Sequence, residues 1–380
     1  METLYLLLAF PLIWPFVAKR IWQTELNWQE VGLNVVIVAL VVTGVFFAGR
    51  YGKTIDTEIW NGYVISKKRE EGSYVRTYSC NCYTTCSGTG SNRSCTESCQ
   101  TCFEDRYTVD WFTTTTLGKI TFQSFDRSSR SVYNEPDPPA YTRCKKGEPV
   151  AQERNYTNYV KAVPESLFHD NSKIAKRFAG MIPKYPTVYS FYHINRVINV
   201  GTKVSPETIT KLNDGLGNML KELGATKQAN IIMILTKSKD PTYRYAIENA
   251  WLGGKKNDIV LMMGVDNSNH IVWADVMTWA LNAGNELFHV TMRDGLQDIG
   301  VVDPAKLLPF INKTVLKLYD RPQMKDYKYL EDEIDPPFWV IMLAFILGVV
   351  GSLGLTFYFH REDIDFINNR RGYNRYRRFR

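Results

Sequence analysis

Two stretches of the chain are apolar without interruption by charge, and both are long enough to cross a membrane. Phe338–Phe359 contains no charged residue. At 1.5 Å per residue it makes about 33 Å of helix, against a hydrocarbon core of about 30 Å. Val31–Gly49 is also uncharged, with Asn34 as an isolated polar residue. The pattern therefore predicts transmembrane helices at 338–359 and 31–49.

A third apolar stretch, at 4–18, is shorter and contains Pro11 and Pro15. A secretory signal peptide carries positive charge before its apolar region, whereas here Glu2 precedes the region and Lys19 follows it. This pattern favours a short or re-entrant membrane segment over a cleaved signal, which stays the alternative. Residues 1–49 are then an N-terminal membrane region, and about three spans are expected in all.

The charges that flank the spans predict the orientation of the chain. Lys and Arg collect on the cytoplasmic side of membrane helices. The formal net charge is +7, and arginine is concentrated in the tail at 360–380, whereas the other flank of the last span, YLEDEIDPP, is acidic. With three spans and a cytoplasmic C-terminus, residues of about 50–336 lie outside the cytoplasm.

Six of the 7 cysteines fall in one short segment. They are Cys80, Cys82, Cys86, Cys95, Cys99 and Cys102. Their spacing is not the pair of Cys-x-x-Cys steps of a zinc ribbon, so the compartment decides between metal and disulfides. Cysteines outside the cytoplasm usually oxidise, which favours three disulfides of unspecified pairing. A zinc site is the alternative for an inverted topology, and the role of Cys144 stays open.

The polar and apolar pattern between the membrane segments predicts two folded parts. Residues 50–150 combine β-branched and aromatic runs with charged or Gly-containing turns, which predicts a small Cys-rich β module. A loop rich in proline and charge leads into a connecting segment at 151–186. Residues 187–325 alternate strand-like runs with amphipathic ones, such as SPETITKLNDGLGNMLKELG, which predicts a layered α/β domain.

The order of elements in this second part resembles the TPM domain. A strand, the helix quoted above, the strand ANIIMILT, a further helix and a hairpin cover about 187–320. The most specific piece is WLGGKKND, Trp251–Asp258, followed by an apolar strand. The family typically has Asp-Asn-Gly at the end of this turn, whereas here Asn257 precedes Asp258 and no glycine follows. The resemblance implies an α/β/α module anchored by a transmembrane helix.

The TPM resemblance also implies binding of calcium or another divalent cation, and a phosphatase activity. The candidate ligands are Asp258, beside the Gly-Lys turn, and Asp266, in the turn DNSN, because calcium prefers carboxylate and carbonyl oxygens from loops. The alternative is that both are ordinary turn residues, which Asp and Asn favour through local hydrogen bonds.

A second resemblance concerns the Cys-rich region. This region, with DRYTVDW, and the segment NYTNYVKAVPESLF are similar to uncharacterised membrane proteins encoded by large tailed bacteriophages. The similarity implies a multi-pass protein of a bacterial or host inner membrane, with residues of about 50–336 in the periplasm. It implies no activity.

Two features of the C-terminal part predict contacts. The tail at 360–380 alternates arginine with aromatic residues, and the arginines predicted to face lipid are Arg370, Arg371, Arg375, Arg377, Arg378 and Arg380. Anionic lipid head groups, at about 1 kcal/mol per residue, are the favoured partner, and nucleic acid is the less favoured one. Gly348, Gly351, Ser352 and Gly354 form a small-residue face on which the last helix could self-associate.

The sequence favours a binding function over catalysis. The 5 histidines are scattered, and none has the spacing of a zinc protease helix. No acid, base and nucleophile cluster along the chain. The sequence therefore predicts a membrane-anchored, extracytoplasmic binding or assembly protein that contacts lipid and a protein partner in the periplasm or at the membrane. A divalent-metal-dependent phosphatase of the TPM kind is the alternative, which leaves enzymatic activity open.

Overall fold

The computed structural model describes residues 2–21, 28–87, 94–162, 177–278, 285–321 and 323–361. Its helices are α1 Glu2–Ile21, α2 Trp28–Thr54, α3 Pro139–Arg143, α4 Tyr159–Ala162, α5 Pro206–Thr226, α6 Tyr243–Ala250, α7 Glu286–Ile299, α8 Pro304–Leu318 and α9 Phe338–Arg361. Its strands are β1 Ile55–Ser87, β2 Ser94–Thr115, β3 Gly118–Arg127, β4 Pro149–Thr157, β5 Val197–Val200, β6 Asn230–Thr236, β7 Asp258–Val265 and β8 Ile271–Thr278. Two 3-10 helices span Arg130–Asn134 and Met324–Glu333.

The chain divides into two compact units. One consists of Met1–Asp56, Asn155–His169 and Gln323–Arg380, and the other of Thr57–Arg154 and Asp170–Pro322. The first unit holds the membrane segments. The second holds both the Cys-rich β module predicted at 50–150 and the α/β domain predicted at 187–325.

Three apolar helices, α1, α2 and α9, dominate the first unit. Each is long and apolar enough to cross a membrane, so the three segments predicted from hydropathy are all helical. The first is a helix of 20 residues that includes Pro11 and Pro15, and it is therefore longer than the short segment predicted at 4–18. A buried polar contact joins the other two, because the Asn34 side-chain amide donates to the Ser352 carbonyl and to Thr356 Oγ1, each at 3.0 Å.

Small residues allow close approach between α2 and α9. A Cβ on Gly49 would collide with the side chain of Val340, and a Cβ on Gly348 would lie 3.3 Å from Cγ2 of Val42. Ser352 is fully buried. Close backbone approach at small residues is a usual source of helix association in lipid. The predicted small-residue face of the last helix thus packs within the chain at Gly348 and Ser352.

Hydrogen bonds at the ends of these helices show which helix ends lie together. Thr3 Oγ1 donates to Asp335 Oδ2 at 3.1 Å, and Lys53 Nζ donates to the Asp335 carbonyl at 3.1 Å. The start of α1, the end of α2 and the start of α9 therefore share one end of the bundle. The long segment between α2 and α9 leaves and re-enters the bundle at that same end, as three alternating spans require.

The β module is a four-stranded sheet in the order β3-β2-β1-β4. β1 and β2 form a long antiparallel hairpin, paired from Val64 with Thr115 to Ser87 with Ser94. β3 pairs with β2 only from Thr115 back to Tyr107. The core of the module lies on the part that β3 covers, and its buried residues include Val109, Trp111, Ile120, Val132, Cys144 and Val150.

The second sheet has the order β5-β6-β7-β8, with β5, β6 and β7 parallel and β8 antiparallel to β7. Every residue of β6 and β7 is buried, because both faces of this sheet are covered. α5, α7 and α8 pack on one face, and α6 with the segment around Phe178 packs on the other. The mixed α/β fold and the hairpin predicted at DNSN are thereby confirmed.

Two local features differ from the sequence-based expectation. The first strand predicted in the α/β part, at YSFYHINRVINV (189–200), is a strand only at Val197–Val200, because Tyr189 and His193 form a separate small turn. α7 was not predicted, although its buried Phe288, Met292 and Leu296 recur at every fourth position.

Candidate functional site

The longer arm of the first sheet carries the six clustered cysteines. Beyond the end of β3, residues 74–87 and 94–106 continue as a two-stranded arm, which we call the cystine ribbon. At about 3.4 Å per residue it is roughly 45 Å long. Disulfides join Cys80–Cys102, Cys82–Cys99 and Cys86–Cys95. The predicted disulfides are confirmed, and their nested pairing follows the antiparallel register.

The disulfides replace a hydrophobic core in the cystine ribbon. Most of its side chains are exposed, and an isolated two-stranded hairpin is at best marginally stable in water. A disulfide typically contributes about 2–4 kcal/mol by restricting the unfolded chain. Cys82 and Cys99 lie near Glu97 in a cluster that could otherwise hold a metal, but their sulfurs are bonded to each other. This arrangement disfavours the zinc alternative.

The surface of the cystine ribbon is rich in uncovered aromatic side chains. Phe103 is 70% exposed and Tyr83 is 61% exposed, with Tyr74, Tyr78 and Val75 also on the surface. The base of the ribbon is held in place, because the side chains of Tyr74 and Arg106 both contact the carboxylate of Asp126. Among the described residues no strand pairs with the outer edges of the ribbon. The ribbon therefore presents aromatic faces and free strand edges.

The two candidate metal ligands lie at opposite ends of one strand. Asp258 is the first residue of β7, whereas Asp266 follows its last residue, which separates them by about 26 Å at 3.3 Å per residue. Asp266 Oδ1 accepts the backbone N–H groups of Ser268 and His270, each at 2.8 Å. It is therefore a local turn residue, as in the alternative interpretation. The structure does not bring the two carboxylates together.

Asp258 is a buried structural carboxylate. Its Oδ1 accepts from Asn230 Nδ2 at 2.8 Å, and its Oδ2 accepts from the Lys255 amide at 2.7 Å and from Tyr185 at 2.9 Å. Burial raises the pKa of Asp258 to about 6, while these hydrogen bonds favour the ionised form. Both oxygens are already satisfied, so the geometry offers no open ligand position.

The same polar network extends to a fully buried arginine. Arg196 donates to the side-chain oxygens of Asn230 and Asn61, and burial lowers the pKa of Arg196 to about 10. Asn61 belongs to β1, whereas Asn230 begins β6. The network therefore ties the β module to the α/β sheet within one unit.

A cleft of about 200 Å³ lies where these two parts meet. It is lined by the start of β4, the segment 189–194 and one face of α5, including Glu148, His193 and Asp214. We call it the Glu148–His193 cleft. The sequence gives no sign of this cleft, because Glu148 and His193 are 45 positions apart and share no motif.

Glu148 is the centre of the hydrogen bonding in the cleft. Its Oε1 lies 3.2 Å from His193 Nε2, and its Oε2 accepts from Tyr192 at 3.1 Å and from the Lys145 amide at 3.0 Å. Partial burial alone would raise the pKa of Glu148, but the hydrogen bonds from His193, Lys145 and Tyr192 lower it. The hydrogen bond to Glu148 raises the pKa of His193 against the opposing effect of burial.

The segment that carries His193 has an unusual backbone. Tyr189 and His193 exchange backbone hydrogen bonds of 2.8 and 3.0 Å, and Ser190 and Phe191 between them have φ of 43° and 76°. Such values are uncommon without glycine and cost about 1–3 kcal/mol each. The Phe191 ring packs edge-on against Phe122 at 5.1 Å, which helps to hold the turn. Strained turns of this kind are typical of functional sites.

The arginines predicted to contact lipid, Arg370 to Arg380, lie outside the described residues. No family model matches the chain, and no curated protein or solved structure matches it. The resemblance to the TPM domain thus rests on the order of elements and the quoted motifs. The fold itself defines a class: a mixed α/β protein with three helices able to span a membrane and a disulfide-linked ribbon.

Proposed function

We propose that this protein is a membrane-anchored, extracytoplasmic binding and assembly protein, and that the cystine ribbon is its partner-binding element. The observation that carries the proposal is the ribbon itself. It projects beyond the core of its sheet, it is cross-linked three times, and its aromatic residues are uncovered. A protein partner with an apolar or strand-edge surface fits these properties.

The chemistry of the ribbon supports a role in recognition. Aromatic side chains are enriched in the buried centres of protein interfaces, where they carry much of the binding energy. Exposed strand edges accept an additional strand through main-chain hydrogen bonds. A ribbon already made rigid by disulfides loses little conformational entropy when it binds, which favours affinity.

The disulfides also support the proposed orientation. Disulfides persist outside the cytoplasm and are rare within it, so the region at about 50–336 would face a periplasm or an equivalent space. The tail after α9 would then lie in the cytoplasm, where its arginines would contact anionic lipid. In this proposal the TPM-like α/β domain is the scaffold that carries the ribbon.

A metal-dependent phosphatase has less support. Asp258 is buried and fully hydrogen-bonded, and Asp266 lies at the far end of β7. His193 offers no free base either, because its Nε2 contacts Glu148 and its Nδ1 lies 3.4 Å from the Ser190 carbonyl. A general base needs a nitrogen that can reach the substrate. Binding is therefore the function that we propose.

Site-specific photo-cross-linking in cells tests the proposal. A photoreactive phenylalanine analogue would replace Tyr83 or Phe103 in the ribbon and, as a matched control, Leu287 on α7, which is 64% exposed. We expect a discrete cross-linked species from the two ribbon positions, absent from the control and lost when Tyr78 is also changed to serine. Equal cross-linking at Leu287, or none at either ribbon position, would contradict the proposal.

A further inference from the structure

We propose that the Glu148–His193 cleft binds a small organic cation, namely a primary amine or a guanidinium group. This inference concerns a site separate from the cystine ribbon and does not depend on the ribbon's function. It rests on the size of the cleft, the charges that line it and the aromatic rings on its wall.

The size of the cleft selects a small group. Its volume of about 200 Å³ corresponds to roughly seven water molecules at about 30 Å³ each. This is below the usual range of about 300–1,000 Å³ for the pockets of drug-sized ligands. An amine or guanidinium on a short alkyl chain is the scale of ligand that fits.

The charges around the cleft favour a cation over an anion. Two carboxylates, Glu148 and Asp214, line it. Arg196 also lines it, but this side chain is fully buried and its guanidinium donates to Asn61 and Asn230. An anion would therefore meet two carboxylates and no free permanent cation among the lining residues.

The wall of the cleft adds a second attraction for a cation. The rings of Tyr192 and His193 stack at 4.5 Å with an interplanar angle of 22°, and Tyr189 lies 5.9 Å from His193. The stacked faces of Tyr192 and His193 cover each other, whereas Tyr189 is 47% exposed. An uncovered aromatic face attracts ammonium and guanidinium groups within about 6 Å of the ring centre. Carboxylates combined with aromatic rings are the chemistry that selects such groups.

Proton and ligand compete for one atom of this site. An ionised carboxylate has about four acceptor positions, and Glu148 receives donors from Tyr192, Lys145 and His193. When His193 is protonated, it compensates the negative charge of Glu148, and its Nε2–H donates to Glu148 Oε1. When His193 is neutral, a ligand donor can take its place at Oε1. Ligand affinity should therefore rise with pH through the titration of His193.

The other charged groups near His193 are Arg143, Arg196 and Asp214. Burial lowers the pKa of Arg196 to about 10, so its guanidinium stays protonated up to pH 8.5. The pKa of Tyr192 is raised by burial and by its hydrogen bonds with Cys144 and Glu148, so this phenol stays neutral. A change in affinity between pH 5.5 and 8.5 would thus report the His193–Glu148 pair.

The test is a titration of the full-length protein in detergent, followed by NMR of labelled histidine rings. The probes are methylguanidinium, butylamine and, as the opposite charge, propionate. We expect the two cations to shift the His193 resonances saturably at millimolar concentrations, with at least about threefold higher affinity at pH 8.5 than at pH 5.5. His289, which is not among the residues that line the cleft and contacts Thr278 instead, should not shift.

Variants decide whether the carboxylates are responsible. Glu148→Gln should weaken methylguanidinium binding at least tenfold, and Asp214→Asn, on the exposed face of α5, should weaken it at least threefold without affecting folding. Asp298→Asn is the matched control on α7 and should change nothing. Stronger binding of propionate than of the cations, or unchanged cation binding in both cleft variants, would overturn the proposal.

A further titration with an arginine-containing peptide identifies the source of the cation. Binding of Gly-Arg-Gly as tightly as methylguanidinium would assign the site to an arginine side chain of a polypeptide. Binding at least tenfold weaker would assign it to a free small cation. A complete absence of saturable shifts for all three cationic probes would overturn the proposal.

Discussion

Arg321 and Glu58, 263 positions apart in the chain, form a buried ion pair in which the single nitrogen Arg321 Nη2 lies 2.5 and 2.7 Å from the two carboxylate oxygens. Lys256 Nζ is 3.8 Å from the same carboxylate. Only 2% of the Glu58 side chain and 12% of the Arg321 side chain are exposed. The pair therefore ties the start of β1 to the segment after α8 within the same compact unit.

Removal of Arg321 should strongly destabilise that unit. Arg321→Met leaves a buried carboxylate with Lys256 as its remaining nearby cation, and breaking a buried pair in this way costs about 3–5 kcal/mol. Chemical unfolding of the full-length protein in detergent, followed by tryptophan fluorescence, measures the change. Arg293→Gln, at an exposed pair with Asp294, is the control and should change stability far less than Arg321→Met, because exposed ion pairs contribute little. Equal effects of the two substitutions would contradict the prediction.

The buried Asp258 should make stability depend on pH in an unusual direction. Its pKa is about 6 in the folded state and about 3.9 in an unfolded chain, so the folded state holds the proton more tightly. Its contribution to stability is full below about pH 4 and is lost as pH rises to about 6. The total change is about 3 kcal/mol.

The variant Asp258→Asn isolates this effect. The unfolding free energy of the unchanged protein should fall between pH 4 and pH 6 as Asp258 ionises. The unfolding free energy of Asp258→Asn should lack this fall, because asparagine does not ionise. The variant should also be less stable below pH 4, by about 1–3 kcal/mol, because an asparagine amide would face the Lys255 N–H. The measurement is a series of denaturant curves at different pH values. Parallel pH profiles for the two proteins would exclude the assignment.

Local patterns predicted those parts of the fold that local forces determine. The uncharged run at 338–359 must be buried in lipid, and the continuous apolar run of β7 must be buried in a sheet that is covered on both faces. Each pattern therefore predicts one kind of structure. Asp258 illustrates the limit. Its neighbours suggest an exposed loop, yet the chain buries it as the first residue of β7, where Asn230 and Tyr185 supply donors from distant positions.

The sequence does not predict contacts between residues that lie far apart in the chain, for the same reason. Six cysteines allow fifteen disulfide patterns, and only the register of β1 with β2 places Cys86 opposite Cys95. Glu148 and His193 meet because β4 and the turn at 189–193 pack together. No periodicity in the sequence encodes that contact.

Reduction should affect the cystine ribbon and leave the α/β sheet intact. With its disulfides broken, the ribbon lacks a core and should open, so a nonspecific protease should cut within 74–106 at least tenfold faster. The main unfolding transition, which reports the core around β6 and β7, should stay within about 0.5 kcal/mol. Limited proteolysis with mass spectrometry locates the cuts. Unchanged cleavage after reduction would show that the ribbon is stable without its disulfides.

Close approach of α2 and α9 should depend on Gly49. Any side chain there collides with Val340, so Gly49→Val should separate the two helices and lower the thermal stability of the membrane unit. Gly44, which has open space around its Cβ position, is the matched control, and Gly44→Val should be tolerated. Melting of the two variants in detergent, followed by circular dichroism, makes the comparison. Similar melting temperatures would argue against tight packing at Gly49.

The proposed orientation predicts which cysteines a membrane-impermeant thiol reagent reaches in intact cells. The six ribbon cysteines should be unlabelled before reduction, because they are disulfide-bonded, and labelled after external reduction. Cys144 has a free thiol but is only 1% exposed, so it should stay unlabelled until the protein is denatured and serves as an internal control. Mass spectrometry assigns the labels. Ribbon labelling that appears only after lysis would place the region at about 50–336 in the cytoplasm and reverse the proposed topology.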